Sequence, residues 1–350
     1  MASAERSRAP SSSFLAAAGL LAFFRYTQIG LALRGAAQNR TAASIVGINP
    51  DLAASGAWAL GGSNYDWGWG AQDDEQSIAA IHHALDLGVN WIDTAAQYGF
   101  GHSEQVVGRA VNSYSGERPF VFTKGGQPEG ANRTTVQSLR RDSLRRELEG
   151  SLARLGLEAI DLYQIHWPIP DEEIEEGWQA LAEFKEEGLV RHIGVSNFDV
   201  EQLRRAQAIA SVETLQPPYS LIDREVEGDI LPFWKREGIG VIVYSPMGSG
   251  MLTGAMTRER IASLPDDDWR KRSPGFQEPE LSRRLELVAR LERVAERLGA
   301  SPGAVAVAWT LRNPAVDGAI VGFRRPDQVD PILPAAELEL RDEDVAEIEG

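Results

Sequence analysis

The sequence predicts an α/β protein in which eight parallel strands close into a (β/α)8 TIM barrel, as a single domain over residues 55–350. From residue 55 onward, short apolar segments alternate with amphipathic segments of helical length. This alternation is typical of buried parallel strands that are covered by helices. The apolar segments number eight, and that number favours a closed barrel over an open sheet.

The predicted strands lie at 57–60, 89–93, 120–124, 161–166, 191–196, 212–216, 241–245 and 318–322. Helices are predicted at 75–87, 102–113, 139–155, 174–187, 199–209, 225–237 and 283–313. The last of these should break at Gly299, because glycine commonly ends a helix and Ser301-Pro302 is a typical helix start. The remaining long segment, 254–282, is predicted to be a mobile loop that closes over a cofactor.

Residues 1–54 differ in composition from the rest of the chain. Residues 1–50 hold five Arg and one Glu, a charge of +4, so the other 300 residues must sum to −20 to give the total of −16. The apolar part of SSSFLAAAGLLAFF spans about 11 residues, which is too short to cross a bilayer as a helix. We expect 1–54 to be a poorly ordered segment of doubtful origin. A wrong start site or reading frame is the favoured explanation, and a targeting segment or a divergent extension are the alternatives.

The composition also limits the possible functions. A hydrophobic fraction of 43% and a charged fraction of 25% are those of a soluble globular protein. The net charge of −16 argues against nucleic acid as a partner. Without cysteine the chain has no disulfide and no cysteine-ligated zinc, which fits a cytoplasmic location. The five histidines form no H-x-x-x-H pair, so no metal is expected: His82, His83, His102, His166 and His192.

Polar side chains stand at the carboxyl ends of the predicted strands, where the active sites of such barrels lie. Asp93 ends the second strand and Tyr98 follows it by five residues, Lys124 ends the third strand, and His166 ends the fourth. Each residue has a simpler explanation: Asp93 could cap the next helix, Lys124 could be solvated, and His166 could be a core histidine. We expect all four to meet at one rim of the barrel.

These four side chains suit proton transfer to a carbonyl oxygen. Tyr98 would donate the proton, and the Lys124 ammonium would lower the pKa of its phenol. Asp93 would hold Lys124 in its charged form, and His166 would orient the carbonyl. None of the four can supply two electrons, so the reaction requires a hydride donor.

Long stretches of the chain resemble the aldo-keto reductases, a family of NAD(P)H-dependent carbonyl reductases. The strings that carry the resemblance are NWIDTAAQYGFGHSEQVVGRAV, FVFTKGG, DLYQIHWPIPDEEIEEGWQALAEFKEEGLVRHIGVSNF, LQPPYSLIDREVEGDILPFWKREGIGVIVYSPMGSGMLTG and GAIVGFRRPDQV. The catalytic tetrad of that family falls on Asp93, Tyr98, Lys124 and His166. The resemblance implies NADP(H)-dependent conversion of an aldehyde or ketone to an alcohol without a metal. The alternative is a cofactor-binding sensor or regulatory subunit on the same barrel.

The resemblance also implies a set of cofactor contacts. Ser196 and Asn197 would hold the nicotinamide carboxamide beside Gln216, and Tyr244 would stack on the nicotinamide ring. The pyrophosphate would lie along the backbone of Ser245, Pro246, Met247, Gly248, Gly250 and Leu252. The adenosine half would contact Gly322, Arg324 and Gln328. Because a guanidinium binds phosphate through a two-pronged contact, the Arg324-Arg325 pair favours NADPH over NADH, although Arg325 could equally be a solvated side chain.

The substrate pocket is less clearly marked. Four aromatic residues on strand ends or on the loop after strand one predict an apolar pocket for a small carbonyl compound, although they could equally pack the mouth of the barrel: Trp58, Tyr65, Trp67 and Trp167. The sequence does not indicate which aldehyde, ketone or sugar is the substrate, nor the oligomeric state. A metal-dependent hydrolase on the same barrel is disfavoured, because only His166 and Asp93 could supply ligands at the strand ends.

Overall fold

A computed structural model describes residues 54–56, as backbone only, and residues 72–350. Within these residues, eight parallel strands form a closed barrel in the order β1 to β8. The prediction of a (β/α)8 barrel is confirmed. The strands are β1 Ala54–Gly56, β2 Trp91–Asp93, β3 Phe120–Gly125, β4 Ile160–Ile165, β5 Val190–Ser196, β6 Thr214–Gln216, β7 Gly240–Tyr244 and β8 Gly318–Gly322.

Strand register brings the carboxyl ends together at one rim. Gly56 pairs with both Asp93 of β2 and Gly322 of β8, so β1 closes the barrel. On the other side of the barrel, Lys124 pairs with Gln164. Ser196, the last residue of β5, pairs with Gln216, the last residue of β6. Side chains at successive strand ends are therefore neighbours in space although they lie far apart in sequence.

The helices agree with the predicted ones to within a few residues in most cases. Their ends follow simple capping rules: Asp199 and Gln202 form a reciprocal capping box at the start of α5, and Gly299 ends α8 with a φ of +65°, which favours glycine. The helices are α1 Asp74–Asp86, α2 His102–Ser113, α3 Arg141–Leu155, α4 Ile174–Glu186, α5 Val200–Gln207, α6 Ile230–Glu237, α7 Arg258–Ala262, α8 Glu280–Leu298, α9 Pro302–Leu311 and α10 Asp342–Glu349.

Alternate strand residues face two separate cores. A small cluster fills the barrel interior and consists of Trp91, Phe122, Leu162, Ile242 and Ile320. The residues between them, such as Val121 and Tyr163, belong to the larger core between the strands and the helices. This two-sided burial explains why the strands are almost continuously apolar.

Three predicted segments differ from the structure or lie outside it. The helix predicted at 225–237 is divided into a 3-10 turn, Glu225–Glu227, and α6, because Asp229 has a φ of −137° and leaves the helical conformation. Segment 254–282 contains α7 and two further 3-10 turns, and its apolar side chains form a buried cluster around Met256, Ile261 and Phe276. The strand predicted at 57–60 lies outside the described residues, and the first described strand is Ala54–Gly56. The expectations for residues 1–53 also lie outside that part of the chain.

Candidate active site

A buried ion pair joins the ends of β2 and β3. The Lys124 Nζ donates to Asp93 Oδ1 at 2.5 Å and to the Thr94 carbonyl oxygen at 3.0 Å. The other carboxylate oxygen of Asp93 accepts from Gln216 Nε2 at 2.9 Å. The side chain of Lys124 is fully buried. Burial lowers the pKa of Lys124, and the carboxylate of Asp93 opposes that change. Asp93 therefore both positions the ammonium and favours its charged form.

Tyr98 and His166 lie over this pair. The Lys124 Nζ is 5.4 Å from the centroid of the Tyr98 ring. The ring centroids of Tyr98 and His166 are 5.6 Å apart, and the two rings meet edge to face at 78°. The prediction that Asp93, Tyr98, Lys124 and His166 converge at one rim agrees with this geometry.

The acidity of the two rings is set mainly by burial. Burial raises the pKa of the Tyr98 phenol well above its usual value, and the nearby Asp93 carboxylate raises that pKa further. The expectation that the pKa of Tyr98 lies below its usual value is therefore wrong for this structure, because burial dominates the shift. Burial, and then Lys124, lower the pKa of His166 well below its usual range. His166 is consequently neutral at neutral pH and can donate one N–H.

A chain of hydrogen bonds follows the ends of β5, β6 and β7. Ser196 Oγ donates to the Gln216 carbonyl oxygen at 2.8 Å, and Asn197 Nδ2 donates to the His166 carbonyl oxygen at 2.9 Å. The Tyr244 hydroxyl donates to Asn197 Oδ1 at 2.8 Å. Asn197 has a φ of +63°, which turns the chain directly after β5 and brings its amide between β4 and β7. The predicted nicotinamide-binding residues therefore form one connected network.

The segment after β7 winds through tight turns. Gly248 N donates to Ser245 O, and Leu252 N donates to Met247 O at 3.0 Å. Gly250 has a φ of +91°, a conformation that favours glycine. Leu252 is fully buried in the main core. A side chain at Gly248 would collide with Ile222, because its Cβ would lie 2.5 Å from Ile222 Cδ1.

Arginines line the end of the cleft that is formed by the loop after β8 and by segment 254–282. The backbone N–H groups of Arg324 and Arg325 both donate to Gln328 Oε1, at 2.8 and 3.2 Å. Arg325 pairs with the exposed Asp327, as expected for a solvated side chain. Burial and the neighbouring Arg270 lower the pKa of Arg324. Arg270 is itself buried and forms a two-pronged pair with Asp268.

These groups line a single cleft of about 640 Å³. Lys124 lies beneath it, Trp167 stands at its edge, and Trp58, Tyr65 and Trp67 fall outside the described residues. Most of the predicted site residues line the cleft: Asp93, Tyr98, His166, Trp167, Ser196, Asn197, Gln216, Tyr244, Ser245, Pro246, Met247, Gly250, Gly322, Arg324 and Gln328. Seven other polar residues line the cleft without having been predicted from the sequence: Gln97, Gln127, Gln137, Ser249, Thr253, Arg260 and Arg270. Only the glycine-rich turn signal in GGQPEGANR could have indicated the hairpin that carries two of these glutamines.

Two features are absent from the part of the chain that the structure describes. Among residues 72–350, no group of three or more His, Asp and Glu side chains is placed to hold a metal ion. None of the helices in that range combines the length and the hydropathy that a transmembrane span needs.

A barrel with this rim chemistry defines a class of cofactor-dependent oxidoreductases, and comparison with known proteins gives the family. A model of the aldo/keto reductase family matches residues 57–350, so the chain belongs to that family of NAD(P)H-dependent carbonyl reductases. It is 37% identical over 309 residues to the aldo-keto reductase YhdN of Bacillus subtilis (strain 168), a match that covers 88% of this chain and 92% of the relative.

Two other similar proteins show the range of activities in the family. The chain is 32% identical to the NADH-specific methylglyoxal reductase of Escherichia coli (strain K12), over 83% of this chain and 90% of that protein. The structure of the glycerol dehydrogenase AKR11B4 from Gluconobacter oxydans superposes with a TM-score of 0.76 at 38% identity. That match covers 85% of this chain and 90% of the other.

Proposed function

We propose that this protein uses NADPH to reduce an aldehyde or ketone to an alcohol, with Asp93, Tyr98, Lys124 and His166 as its catalytic residues. The observation that carries the proposal is the buried Asp93–Lys124 pair beneath Tyr98 and His166, in a cleft whose far end is lined by arginines. The barrel predicted over residues 55–350 is the catalytic domain in this proposal, with strand β1 beginning one residue earlier at Ala54. The lack of cysteine fits a cytoplasmic location.

Each member of the tetrad has a distinct role. Tyr98 donates the proton from its hydroxyl to the substrate oxygen. Lys124 stabilises the phenolate that remains, because an ammonium 5.4 Å from the ring centroid interacts more favourably with the anion than with the neutral phenol. Asp93 keeps Lys124 charged and in place. His166 is neutral and donates an N–H to the same substrate oxygen, which orients the carbonyl.

The residues along the cleft fit a nicotinamide dinucleotide, which supplies the hydride when bound. Ser196, Asn197 and Gln216 offer the hydroxyl and amide groups that a carboxamide requires. The Tyr244 side chain lies beside them in the same cleft and offers a flat ring for stacking. The glycine turn after β7 gives close backbone approach for a pyrophosphate. We assign these contacts to Ser196, Asn197, Gln216, Tyr244, Ser245, Pro246, Met247, Gly248, Gly250, Leu252, Gly322, Arg324 and Gln328.

The preference for NADPH is supported by the charge of the far end of the cleft. Four guanidinium groups line it: Arg260, Arg270, Arg324 and Arg325. Arg270 pairs with Asp268, and Arg325 pairs with Asp327. A dianionic 2′-phosphate fits this excess of positive charge better than a neutral hydroxyl does.

The direct test is steady-state turnover of the full chain on a panel of aldehydes and ketones with NADPH and with NADH, followed through the nicotinamide absorbance. We expect reduction with kcat/KM for NADPH at least about tenfold above that for NADH. Equal use of both cofactors would contradict the NADPH preference. Binding of NADPH, seen as fluorescence quenching, without turnover on any carbonyl would favour a sensor or regulatory subunit instead.

A further inference from the structure

The segment between β3 and α3 is a narrow hairpin. Ser138 N donates to Gly126 O at 3.2 Å, Val136 N donates to Pro128 O at 3.0 Å, and Gly130 N donates to Thr134 O at 2.8 Å. Glu129 and Thr135 form an antiparallel bridge in the same ladder. Two residues further from the turn, this register places Gln127 directly opposite Gln137.

Opposite residues of an antiparallel pair present their side chains on the same face. Gln127 and Gln137 accordingly both line the catalytic cleft, whereas the intervening Val136 lies on the outer face and is 44% exposed. Gln97 completes the set from the loop after β2. Its Nε2 donates to Thr135 Oγ1 at 3.3 Å, and it directly precedes Tyr98. Three amide side chains therefore line the part of the cleft that contains the catalytic tyrosine.

The base of the hairpin is held in place by α3. The two carboxylate oxygens of Glu147 accept from the N–H groups of Gly126 and Gln127, at 3.2 and 3.1 Å. Glu147 is buried. The backbone at the base of the hairpin is therefore fixed before any substrate arrives and does not have to be ordered on binding.

One of the amides lacks a partner. Gln137 Oε1 is buried and accepts no hydrogen bond from any described residue. Buried amide oxygens are nearly always hydrogen-bonded in proteins, so an oxygen of this kind in a ligand cleft is suited to accept a hydrogen bond from a ligand. Tyr98 and His166 are occupied by the carbonyl oxygen of a substrate, so the amides face the remainder of the molecule.

We propose that Gln97, Gln127 and Gln137 select carbonyl substrates that carry a hydroxyl group on the carbon next to the carbonyl, that is, small hydroxyaldehydes and hydroxyketones. This inference rests on the proposed carbonyl reduction. A hydroxyl can donate to Gln137 Oε1 and accept from the other two amides. A purely apolar substrate of the same length would leave these polar groups unpaired, which is the situation in which protein sites discriminate most strongly.

The experiment compares glyceraldehyde with propanal, which have the same carbon skeleton, in the wild-type protein and in Gln127→Met and Gln137→Met made separately. We expect wild type to favour glyceraldehyde in kcat/KM, and each variant to lose about tenfold or more of that preference, because kcat/KM for glyceraldehyde falls more than kcat/KM for propanal. Comparing variant with wild type cancels any difference between the two aldehydes in solution. Val136→Ala, on the outer face of the hairpin, is the matched control and should leave the preference unchanged.

Other outcomes separate this inference from the function on which it rests. If propanal is the better substrate, or if both glutamine variants slow the two aldehydes equally, the hydroxyl selection is wrong while carbonyl reduction stands. If neither aldehyde nor any other carbonyl is reduced by a protein that binds NADPH, the proposed function fails and this inference falls with it. A melting curve for each variant shows whether it is folded, and the two single variants provide independent tests.

Discussion

The two ends of the cleft hold their charges in different ways. At the tetrad end, Lys124 and Asp93 are buried at the ends of adjacent strands and held by hydrogen bonds of 2.5 to 3.0 Å. At the arginine end, the charges stand on segment 254–282 and on the loop after β8. Arg260 is exposed and Arg324 is half-buried, while Arg270 is held by an acid two residues before it.

This difference has energetic consequences. Breaking one partner of a buried ion pair leaves a charge without compensation, which typically costs about 3–5 kcal/mol. Charges near the surface are screened by water and salt, so they contribute less to stability and act mainly on ligands. We therefore expect substitutions at the tetrad end to affect both chemistry and folding, and substitutions of Arg324 and Arg325 at the arginine end to affect mainly cofactor affinity.

The largest effect is expected from Tyr98→Phe. Removing the hydroxyl removes the proton donor, so kcat should fall by about 10³-fold or more, while NADPH affinity stays nearly unchanged because the hydroxyl acts in the transition state. Steady-state kinetics and fluorescence titration with NADPH measure the two quantities. Tyr114→Phe is the control, since Tyr114 donates to Asp86 near the surface and lies outside the cleft. If Tyr98→Phe keeps a tenth of the wild-type kcat, Tyr98 is not the acid.

Asp93→Asn tests the buried pair. It leaves Lys124 without its counter-charge, so the lysine should lose its proton and the protein should lose about 3–5 kcal/mol of unfolding free energy. We expect kcat to fall by about 10²-fold as well, because neutral Lys124 no longer stabilises the phenolate. Urea unfolding and kinetics give the two readouts.

Asp161→Asn is the matched control for that variant. Asp161 is also a buried carboxylate in a barrel strand, and it accepts from Arg118 at 2.8 Å, but it lies near the amino end of β4, away from the cleft. Its loss should lower stability without lowering kcat. If Asp161→Asn lowers kcat as much as Asp93→Asn does, the loss of activity in Asp93→Asn is caused by lower stability and not by the loss of a catalytic residue.

The same contrast explains which parts of the site the sequence could predict. Asp93, Lys124 and His166 are fixed by strand register, and a strand end can be recognised from a short apolar run. Arg270 stands far beyond β7, and its position depends on its pairing with Asp268. Gln127 and Gln137 depend on a hairpin that contains Pro128 and Gly130 and has no alternating apolar pattern. The positions of these residues in the cleft depend on local contacts that residue spacing alone does not reveal.

The helix predicted at 225–237 shows the same limit for the fold. Its residues have the right composition, but the backbone of Asp229 leaves the helical conformation and Gly228 offers no side chain to stabilise the turn. The pKa of Tyr98 shows the same limit, because it lies above its usual value and not below it as the charge of Lys124 alone predicts. The degree of burial, which dominates the shift, is set by the folded structure.

Glu147 gives a pH-dependent test at the tetrad end. Burial raises its pKa from 4.5 to about 7, against the opposing effect of the Gly126 and Gln127 N–H groups. The folded protein therefore binds this proton more tightly than the unfolded chain does between pH 4.5 and 7. Stability from this group is present below pH 4.5 and is lost as the pH rises through about 7.

The measurement is the unfolding free energy of wild type minus that of Glu147→Gln, determined between pH 4.5 and 8. This difference should fall by up to about 3 kcal/mol across the range, because one pKa unit corresponds to about 1.4 kcal/mol. The other ionisable groups that face this region are Glu104 of α2, Arg154 of α3 itself and the Tyr163 hydroxyl. Glu149→Gln, at an exposed position of the same helix, is the control for replacing a carboxylate of α3 by an amide. If the difference in unfolding free energy between wild type and Glu147→Gln does not change with pH, the pKa of Glu147 is not raised in the folded protein.

The smallest expected effect belongs to the arginine end. If Arg324 binds the 2′-phosphate, Arg324→Ala should weaken NADPH binding by about 1.5–3 kcal/mol, as is typical for hydrogen bonds to charged groups, and NADH binding much less. The NADPH affinity of Arg324→Lys should lie between those of wild type and Arg324→Ala, because lysine keeps the charge and loses the two-pronged contact. Stability should change little, because the neighbouring loop is also held by Gln328, whose amide oxygen accepts from the backbone N–H groups and not from the guanidinium.

Arg325→Ala is the control for the arginine assignment. Arg325 is half exposed and already paired with Asp327, so its loss should cost less than about 1 kcal/mol of NADPH affinity. The difference in NADPH affinity between Arg324→Ala and Arg325→Ala should shrink as salt is added, because the arginine end is open to ions. The effect of Asp93→Asn on stability should not depend on salt. If Arg324→Ala weakens the binding of NADPH and NADH equally, Arg324 does not contact the 2′-phosphate. A salt-independent difference would show that this end of the cleft is as sealed from water as the tetrad end, and the contrast between them would no longer hold.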